Sequence, residues 1–252
     1  MNILITGDSH LAAIDRALKA DSVLLQGHDI KILPLGNAEA THSPYFADGE
    51  NCIEITLDRL QLHLSSLPPK GFVPDVIAVS MLFHTLRFLR QTRLWSSFAP
   101  ASLEFDDRHA LSRSVLRRMV LCQQQYNLEL MRKLKKYVPR VFALEGPRVF
   151  SHHTAFKKNE GQVLLEVDNQ YRQTMHEELS KLKIEVIDCP SEAFCRETGL
   201  MKPKFRTGRA DDLHHANTEF GGLVLRDMLR ACLLYTSPSP RDATLSRMPS
   251  SA

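Results

Sequence analysis

The sequence predicts an α/β protein of three layers, in which helices cover both faces of a mostly parallel, five-stranded sheet. Short apolar runs bounded by turn residues alternate with longer segments in which apolar residues recur every three or four positions. This alternation is typical of parallel strands joined by helical crossovers. The segment at 74–81 carries a continuous apolar run, which indicates a strand covered on both faces.

Each predicted strand ends at a turn signal. The first contains Ile3 to Ile5 and stops at a Thr-Gly-Asp-Ser turn, and the others lie at 28–35, 74–81, 140–147 and 184–190. Helices are predicted after the first turn and at 53–67, 107–137, 168–182, 191–199 and 218–231, and the segment at 81–95 is predicted to be a loop that leads into an amphipathic helix. In the long helix at 107–137 the predicted apolar stripe consists of Val115, Met119, Cys122, Tyr126, Leu130, Leu134 and Tyr137.

Composition limits the classes of function. A chain of 252 residues with 43% apolar and 24% charged residues suits one globular domain. A net charge of +3 gives no reason to expect nucleic acid as a partner, and no segment approaches the roughly 20 apolar residues of a membrane span. No signal peptide precedes the first strand, and the five cysteines lack zinc-site spacing. We expect a cytoplasmic protein without metal or cofactor, in an oligomeric state that the sequence does not predict.

The segment at 232–252 differs from the rest of the chain. A helical pattern gives way there to Ser- and Pro-rich sequence without an apolar period. The stretches at 232–242 and 246–252 resemble translated sequencing-adaptor and primer DNA, and 243–245 fall where an index would lie. We therefore expect the domain to comprise residues 1–231, followed by a non-native disordered tail in place of the natural C-terminus.

The turn after the first strand carries a candidate nucleophile. Gly7 permits a tight turn, and either Asp8 or Ser9 could simply cap the following helix. A serine there would also lie at the carboxyl end of a strand, beside the N–H groups of a helix N-terminus. That environment suits a nucleophile and the oxyanion that forms next to it.

The sequence at 211–217, Asp-Asp-Leu-His-His-Ala-Asn, offers a base for that serine. An imidazole can take a proton from a serine hydroxyl near neutral pH, and a carboxylate can hold the imidazole in the right tautomer. Two pairs have suitable spacing, Asp211 with His214 and Asp212 with His215. Spacing alone does not choose between them.

Gly-Asp-Ser near the start and Asp-x-x-His-x-Asn near the end resemble the SGNH/GDSL hydrolase superfamily over roughly residues 1–230. The late motif of that family reads Asp-x-x-His-Pro-Asn, so the resemblance selects Asp212 and His215, with Ala216 in place of the proline. It implies a Ser9 nucleophile, a Ser-His-Asp triad, an acyl-serine intermediate and a serine ester hydrolase. It also implies a flavodoxin-like strand order, 2-1-3-4-5.

The same resemblance implies an oxyanion hole, in which this chain departs from the family. The expected donors are the Ser9 N–H, a glycine after the second strand, for which Gly36 beside Asn37 is the candidate, and an asparagine in a Gly-x-Asn-Asp motif. After the third strand this chain instead reads Ser-Met-Leu-Phe-His-Thr, so His84 or Thr85 is left as a substitute donor. His10 is a further candidate pocket residue.

Two alternatives remain open. Gly-Asp-Ser-His is similar to the SGNH domains attached to membrane acyltransferases that O-acetylate sugars, which implies an O-acyltransferase or deacetylase acting on glycans. A catalytically silent binding protein on the same fold is the other alternative. In the enzymatic readings the partner is a small-molecule or glycan ester.

Overall fold

Helices lie on both faces of a parallel sheet in the computed structural model, which describes residues 1–21, 27–36, 38–61, 64–209 and 211–234. The strands are β1 (Asn2–Gly7), β2 (Asp29–Pro34), β3 (Phe46–Asp48), β4 (Ile53–Ile55), β5 (Ser66–Leu67), β6 (Val76–Ser80), β7 (Phe98–Pro100), β8 (His109–Leu111), β9 (Arg140–Leu144) and β10 (Glu185–Ile187). The helices are α1 (Leu11–Ala20), α2 (Asp58–Gln61), α3 (Leu86–Leu89), α4 (Thr92–Ser97), α5 (Arg113–Leu134), α6 (Gly161–Lys181) and α7 (Thr218–Leu234). None of the helices in the described ranges is long and apolar enough to cross a membrane.

The main sheet has five strands in the order β10-β9-β6-β1-β2, and every neighbouring pair is parallel. Counted among themselves along the chain, these strands have the order 2-1-3-4-5, so the predicted fold class is confirmed. β1 lies inside the sheet, between β2 and β6, and its residues Ile3, Leu4 and Ile5 are fully buried. The residues that follow β1 therefore emerge at the carboxyl edge of the sheet, where ligands bind in folds of this kind.

Side chains of the strands alternate between two cores, as the pleat of a strand requires. Leu4, Ile77 and Val79 pack on one face with the buried side chains of α5 and α6. Ile3, Ile5 and Ala78 pack on the other face with those of α1 and α7. The sheet is thus covered on both sides, which explains why its strands are apolar runs.

Some predicted elements are wrong. The segment at 53–67 is not one helix, because Ile53 and Ile55 are buried on either side of an exposed Glu54 and form β4, which pairs with β3 and β5. The predicted helix at 191–199 is a series of turns, and the segment at 81–95 contributes the short helices α3 and α4.

The predicted buried face of the long helix is only partly right, and Met119, Tyr126 and Tyr137 are half-buried against the core. Leu130 and Leu134 are buried as predicted, but Val115 is 45% exposed and Cys122 is exposed. The buried face consists of Leu116, Val120, Gln124, Asn127, Leu130, Met131 and Leu134. Two of these residues are polar and satisfied inside the protein: the Gln124 amide donates to the Tyr171 hydroxyl at 2.6 Å, and Asn127 accepts from Tyr45 at 2.9 Å. Apolar periodicity in the sequence does not reveal buried polar residues of this kind.

A close contact between α1 and α7 brings the two ends of the chain together. Gly221 of α7 lies so near α1 that an added Cβ would meet the Ala13 carbonyl oxygen at 2.1 Å. Small buried residues on α1, Ala13 and Ala17, allow this approach. Because Ser9 lies just before α1 and His215 just before α7, this contact helps set the distance between them.

The last helix continues beyond the predicted domain boundary at 231. Cys232 is fully buried, and Arg140 donates hydrogen bonds to the carbonyls of Cys232 and Ala231 at 3.1 and 3.3 Å. Residues 235–252 lie outside the described residues, as does Asn37, so the non-native tail remains a prediction.

Gly221→Ala should destabilise the protein. Its new methyl group meets backbone at 2.1 Å, and overpacking of this kind costs about 1–3 kcal/mol. Gly222→Ala is the matched control, because its Cβ would lie 4.0 Å from the Ala17 Cβ and alanine favours a helix by about 1 kcal/mol over glycine. Urea denaturation should therefore give free energies of unfolding that change in opposite directions. Equal changes in the two variants would contradict the close contact.

Two truncated chains should differ in stability. A chain that ends after Leu234 keeps the buried Cys232 and its hydrogen bond to Arg140. A chain that ends after Ala231 loses both, and we expect its melting temperature to be lower by about 3–6 °C. Differential scanning calorimetry of both chains beside the 252-residue protein measures this. A comparable loss in the 1–234 chain would contradict the expectation that the tail is dispensable.

Candidate active site

The turn that presents Ser9 is fixed against the end of β6. Gly7 has φ +144°, and a Cβ at this residue would meet the Ser80 carbonyl oxygen at 2.1 Å. The N–H of Asp8 donates to that same oxygen at 2.8 Å. A residue with a side chain could not occupy position 7 without moving one of the two strands. Gly7 therefore lets the chain turn sharply, and Ser9, two residues later, is exposed at the edge of the sheet.

Ser9 is not the cap of α1, which was the structural alternative to a nucleophile. The N-cap residue of α1 is His10, and its side chain makes no capping hydrogen bond. Asp8 Oδ1 accepts the His10 N–H at 3.1 Å, while the Ser9 carbonyl accepts the Ala12 N–H at 3.2 Å. Among the hydrogen bonds of the described residues, the Ser9 N–H donates in none. Both the hydroxyl and the N–H of Ser9 are thus free of a role in the helix.

The Ser9 hydroxyl contacts the late histidine motif. Ser9 Oγ lies 2.8 Å from His215 Nε2, and His215 Nδ1 lies 3.0 Å from each carboxylate oxygen of Asp212. The three side chains come from two turns that are far apart in the sequence, since Ser9 and His215 are separated by 206 residues. The three residues that the resemblance selects are therefore connected in series.

Asp212 is held as a carboxylate. Partial burial alone would raise its pKa, but the backbone N–H groups of His215 and His214, together with the His215 ring, lower the pKa to about 2. The two N–H groups donate to Asp212 Oδ1 at 3.0 and 3.3 Å. At neutral pH the carboxylate can accept the proton on His215 Nδ1, which leaves the Nε2 lone pair directed at Ser9.

The alternative pair, Asp211 with His214, does not form. Asp211 is exposed and pairs with Arg209 at 3.0 Å. His214 instead packs beside His215, with ring centroids 4.0 Å apart. Its pKa is lowered to about 4, because burial and the nearby His215 and Arg90 disfavour the imidazolium form.

The predicted oxyanion donors are only partly in place. The N–H of Gly36 donates to the Gly7 carbonyl at 3.3 Å, and the Leu35 N–H donates to the same oxygen at 2.8 Å. Gly36 is thus directed at β1, and it does not line the cleft at Ser9. Asn37 lies outside the described residues. His84 and His10 lie together beside Ser9, in a group that includes Asp8.

This group, which we call the Asp8 cluster, consists of Asp8, His10 and His84. His10 Nε2 lies 3.2 Å from His84 Nδ1, which in turn lies 3.3 Å from Asp8 Oδ2. Asp8 is 1% exposed. Burial would raise its pKa, but the two imidazoles outweigh burial and the net shift is downward. The sequence identified Asp8 only as a possible cap, because nothing in linear spacing relates it to His84; the pairing of β1 with β6 brings them together.

A cleft of about 440 Å³ opens at the triad. Besides the three triad residues, its polar lining includes Arg16, Thr207, Arg209 and Asn217. A larger cavity of about 750 Å³ lies around Glu145, Arg172 and His176 and does not include Ser9. We place the candidate site in the smaller cleft, because it contains a serine hydroxyl in contact with an imidazole.

Comparisons with known proteins match by architecture rather than by sequence. No protein-family model matches the chain, and no curated protein does. Similar solved structures include the periplasmic domain of a lipopolysaccharide acetyltransferase from Salmonella ser. Paratyphi A (16% identity, 92% of this chain and 83% of that chain, TM-score 0.48). Another is a carbohydrate acetylesterase family member from Sinorhizobium meliloti (12% identity, 92% of this chain and 97% of that chain, TM-score 0.49). A third is a catalytic mutant of an acetylxylan esterase from Geobacillus stearothermophilus (11% identity, 91% of this chain and 92% of that chain, TM-score 0.48). These identities are below 25% and these TM-scores are below 0.5, so the similarities do not identify a function. A proposal about function has to rest on the geometry of the site itself.

Acid should destabilise the fold through His214. Its pKa is 6.5 without perturbation and about 4 in the fold, so the unfolded chain takes up the proton first. The contribution of neutral His214 to stability is complete above the unperturbed pKa and is lost as the pH falls towards the folded value. His214→Gln should reduce the loss of unfolding free energy between about pH 7 and pH 4.5 by up to about 2–3 kcal/mol.

Urea denaturation at the two pH values measures this difference. His109→Gln is the matched control, because His109 is exposed on β8, and its pH-dependent loss should equal that of the parent protein. An unchanged loss in His214→Gln would contradict the prediction.

Proposed function

We propose that the protein is a serine hydrolase of ester bonds that forms an acyl-serine intermediate. Ser9 is the nucleophile, His215 the general base and Asp212 the carboxylate that orients the base. The observation that carries this proposal is the unbroken series of contacts from Ser9 Oγ through His215 to the Asp212 carboxylate, at 2.8 and 3.0 Å. A serine hydroxyl becomes an effective nucleophile when a base takes its proton as it attacks.

The proton inventory of the reaction follows from these contacts. His215 Nδ1–H donates to Asp212, so the Nε2 lone pair accepts the Ser9 proton while Oγ attacks the ester carbonyl carbon. The Asp212 carboxylate stabilises the resulting imidazolium, which then gives its proton to the departing alkoxide. Deacylation follows the reverse sequence. His215 takes a proton from water while the water oxygen bonds to the acyl carbon, and the bond from that carbon to Ser9 Oγ then breaks. The imidazolium returns its proton to Ser9 Oγ, and the carboxylic acid is released.

The negative charge of the tetrahedral intermediate needs hydrogen-bond donors. The Ser9 N–H at the start of α1 is one such donor, and the positive end of the helix dipole adds to it. The asparagine of the related motif is replaced in this chain by residues of the loop that carries His84. Because loss of one donor costs about two to three orders of magnitude in rate, we expect slow turnover and a preference for activated esters.

The polar cleft also favours a second candidate, in which a sugar hydroxyl replaces water as the acyl acceptor. Besides Ser9, Asp212 and His215, the cleft is lined by the polar residues Arg16, Thr207, Arg209 and Asn217. A lining of this kind suits the hydroxyl groups of a carbohydrate. Product analysis by mass spectrometry, with an activated acetyl ester and a sugar acceptor, distinguishes acetylated sugar from free acetate.

A fluorophosphonate probe tests the nucleophile directly. Intact-mass measurement should find one adduct on the parent protein and none on Ser9→Ala. His215→Ala should slow labelling by about three orders of magnitude or more, because the hydroxyl then keeps its proton.

His214→Ala is the matched control. It removes a neighbouring ring that touches the same carboxylate only at 3.9 Å, and it should keep most of the labelling rate. An adduct that survives in Ser9→Ala, or an equal loss in the two histidine variants, would overturn the assignment. A parent protein that takes up no probe would leave the silent binding protein as the better description.

A further inference from the structure

We propose that the Asp8 cluster is a binding site for a divalent transition-metal ion of the zinc type, next to Ser9. The ligands would be Asp8 Oδ2, His10 Nε2 and His84 Nδ1. The sequence predicted no metal, because the five cysteines lack zinc-site spacing, whereas these three ligands are brought together by the pairing of β1 with β6. The proposal does not depend on the esterase function.

The spacing of the three atoms fits one ion. Zinc binds imidazole nitrogen and carboxylate oxygen at about 2.0–2.1 Å, so neighbouring ligand atoms of a tetrahedral site lie about 3.3 Å apart. The observed distances are 3.2 Å between His10 Nε2 and His84 Nδ1, and 3.3 Å between His84 Nδ1 and Asp8 Oδ2. All three atoms lie within 4.8 Å of one another.

Hydrogen bonds alone leave this group unsatisfied. A single proton between the two ring nitrogens can satisfy their contact but cannot also serve Asp8 Oδ2. In the described residues that oxygen is buried and has no hydrogen-bond partner. A buried carboxylate oxygen that no hydrogen bond satisfies is costly. A cation between the three atoms would accept a lone pair from each of them.

The chemistry of the donors selects the kind of ion. Two neutral imidazoles and one carboxylate suit zinc and its neighbours among the transition metals, whereas magnesium and calcium prefer oxygen donors only. Three protein ligands leave the fourth position to water, as in catalytic zinc sites. Since Asp8 and His10 flank Ser9 in the sequence, a bound ion would lie beside the serine turn.

Two other groups of the described residues bring metal-ligating atoms together, and both are already neutralised. Glu145, in the group with His176 and Asp188, is paired with Arg172 at 3.0 Å. Asp212, in the group with His214 and His215, already accepts two backbone N–H groups and the His215 ring. The recorded ion pairs of Asp8 include no lysine or arginine, which leaves its charge available to a cation.

Calorimetric titration of chelator-treated protein with Zn²⁺ tests the proposal. We expect one Zn²⁺ per chain, and His10→Gln and His84→Gln should each weaken binding at least tenfold. His176→Gln and His215→Ala are controls from the other two groups and should keep the parent affinity. Circular dichroism checks that each variant is folded. Loading with Co²⁺ should give the visible absorption of a tetrahedral ion in the parent protein but not in His10→Gln or His84→Gln.

Three results would overturn the proposal. They are a parent protein that binds no Zn²⁺ at millimolar concentration, binding that survives both His10→Gln and His84→Gln, and binding that is lost in His176→Gln or His215→Ala. The first would leave the cluster as a hydrogen-bonded network, and the last would move the ion to another group.

Discussion

The docking of α1 against α7 is the contact on which the site depends. Ser9 and His215 come from distant parts of the sequence and lie 2.8 Å apart, and the helices that follow them touch at Gly221. A carbonyl oxygen of α1 occupies the space of the missing Cβ, so the helices approach as closely as their backbones permit. Under the proposed function, this hydrogen bond would tolerate little displacement. The absence of one methyl group therefore matters more to the chemistry than its small size suggests.

A buried ion network supports the same site from the other side. Arg172, 3% exposed, pairs with Glu145 at 3.0 Å and Asp168 at 2.9 Å, and donates to the carbonyls of Gly146 and Pro147. The loop after β9 is thereby held in place, and a Cβ built on Gly146 would lie only 3.7 Å from the His10 ring. Removing one partner of a buried pair commonly costs about 3–5 kcal/mol. The network thus links the stability of the fold to the position of the residues beside Ser9.

What the sequence could predict depended on whether the signal was local. The apolar strands were predictable because both faces of the sheet are covered, whereas their order was predicted from the family resemblance. The helix predicted at 53–67 was wrong because Ile53 and Ile55 alternate with an exposed residue, as in a strand, within a segment whose apolar spacing also fits a helix. The buried face of α5 was mispredicted in part because Gln124 and Asn127 are polar residues that hydrogen bonds allow to be buried. Likewise the contact of Ser9 with His215 was predictable from two motifs, whereas the Asp8 cluster arises from strand pairing that no spacing encodes.

The sequence separation of 206 residues between Ser9 and His215 determines when their contact can form during biosynthesis. On a ribosome the first strand and the serine turn emerge early, and much of the sheet can form before the late motif has been translated. During that interval Ser9 lacks His215, the imidazole that its hydroxyl contacts in the folded protein. Under the proposed function, reactivity towards esters therefore appears only after the late motif has been translated and has packed beside Ser9.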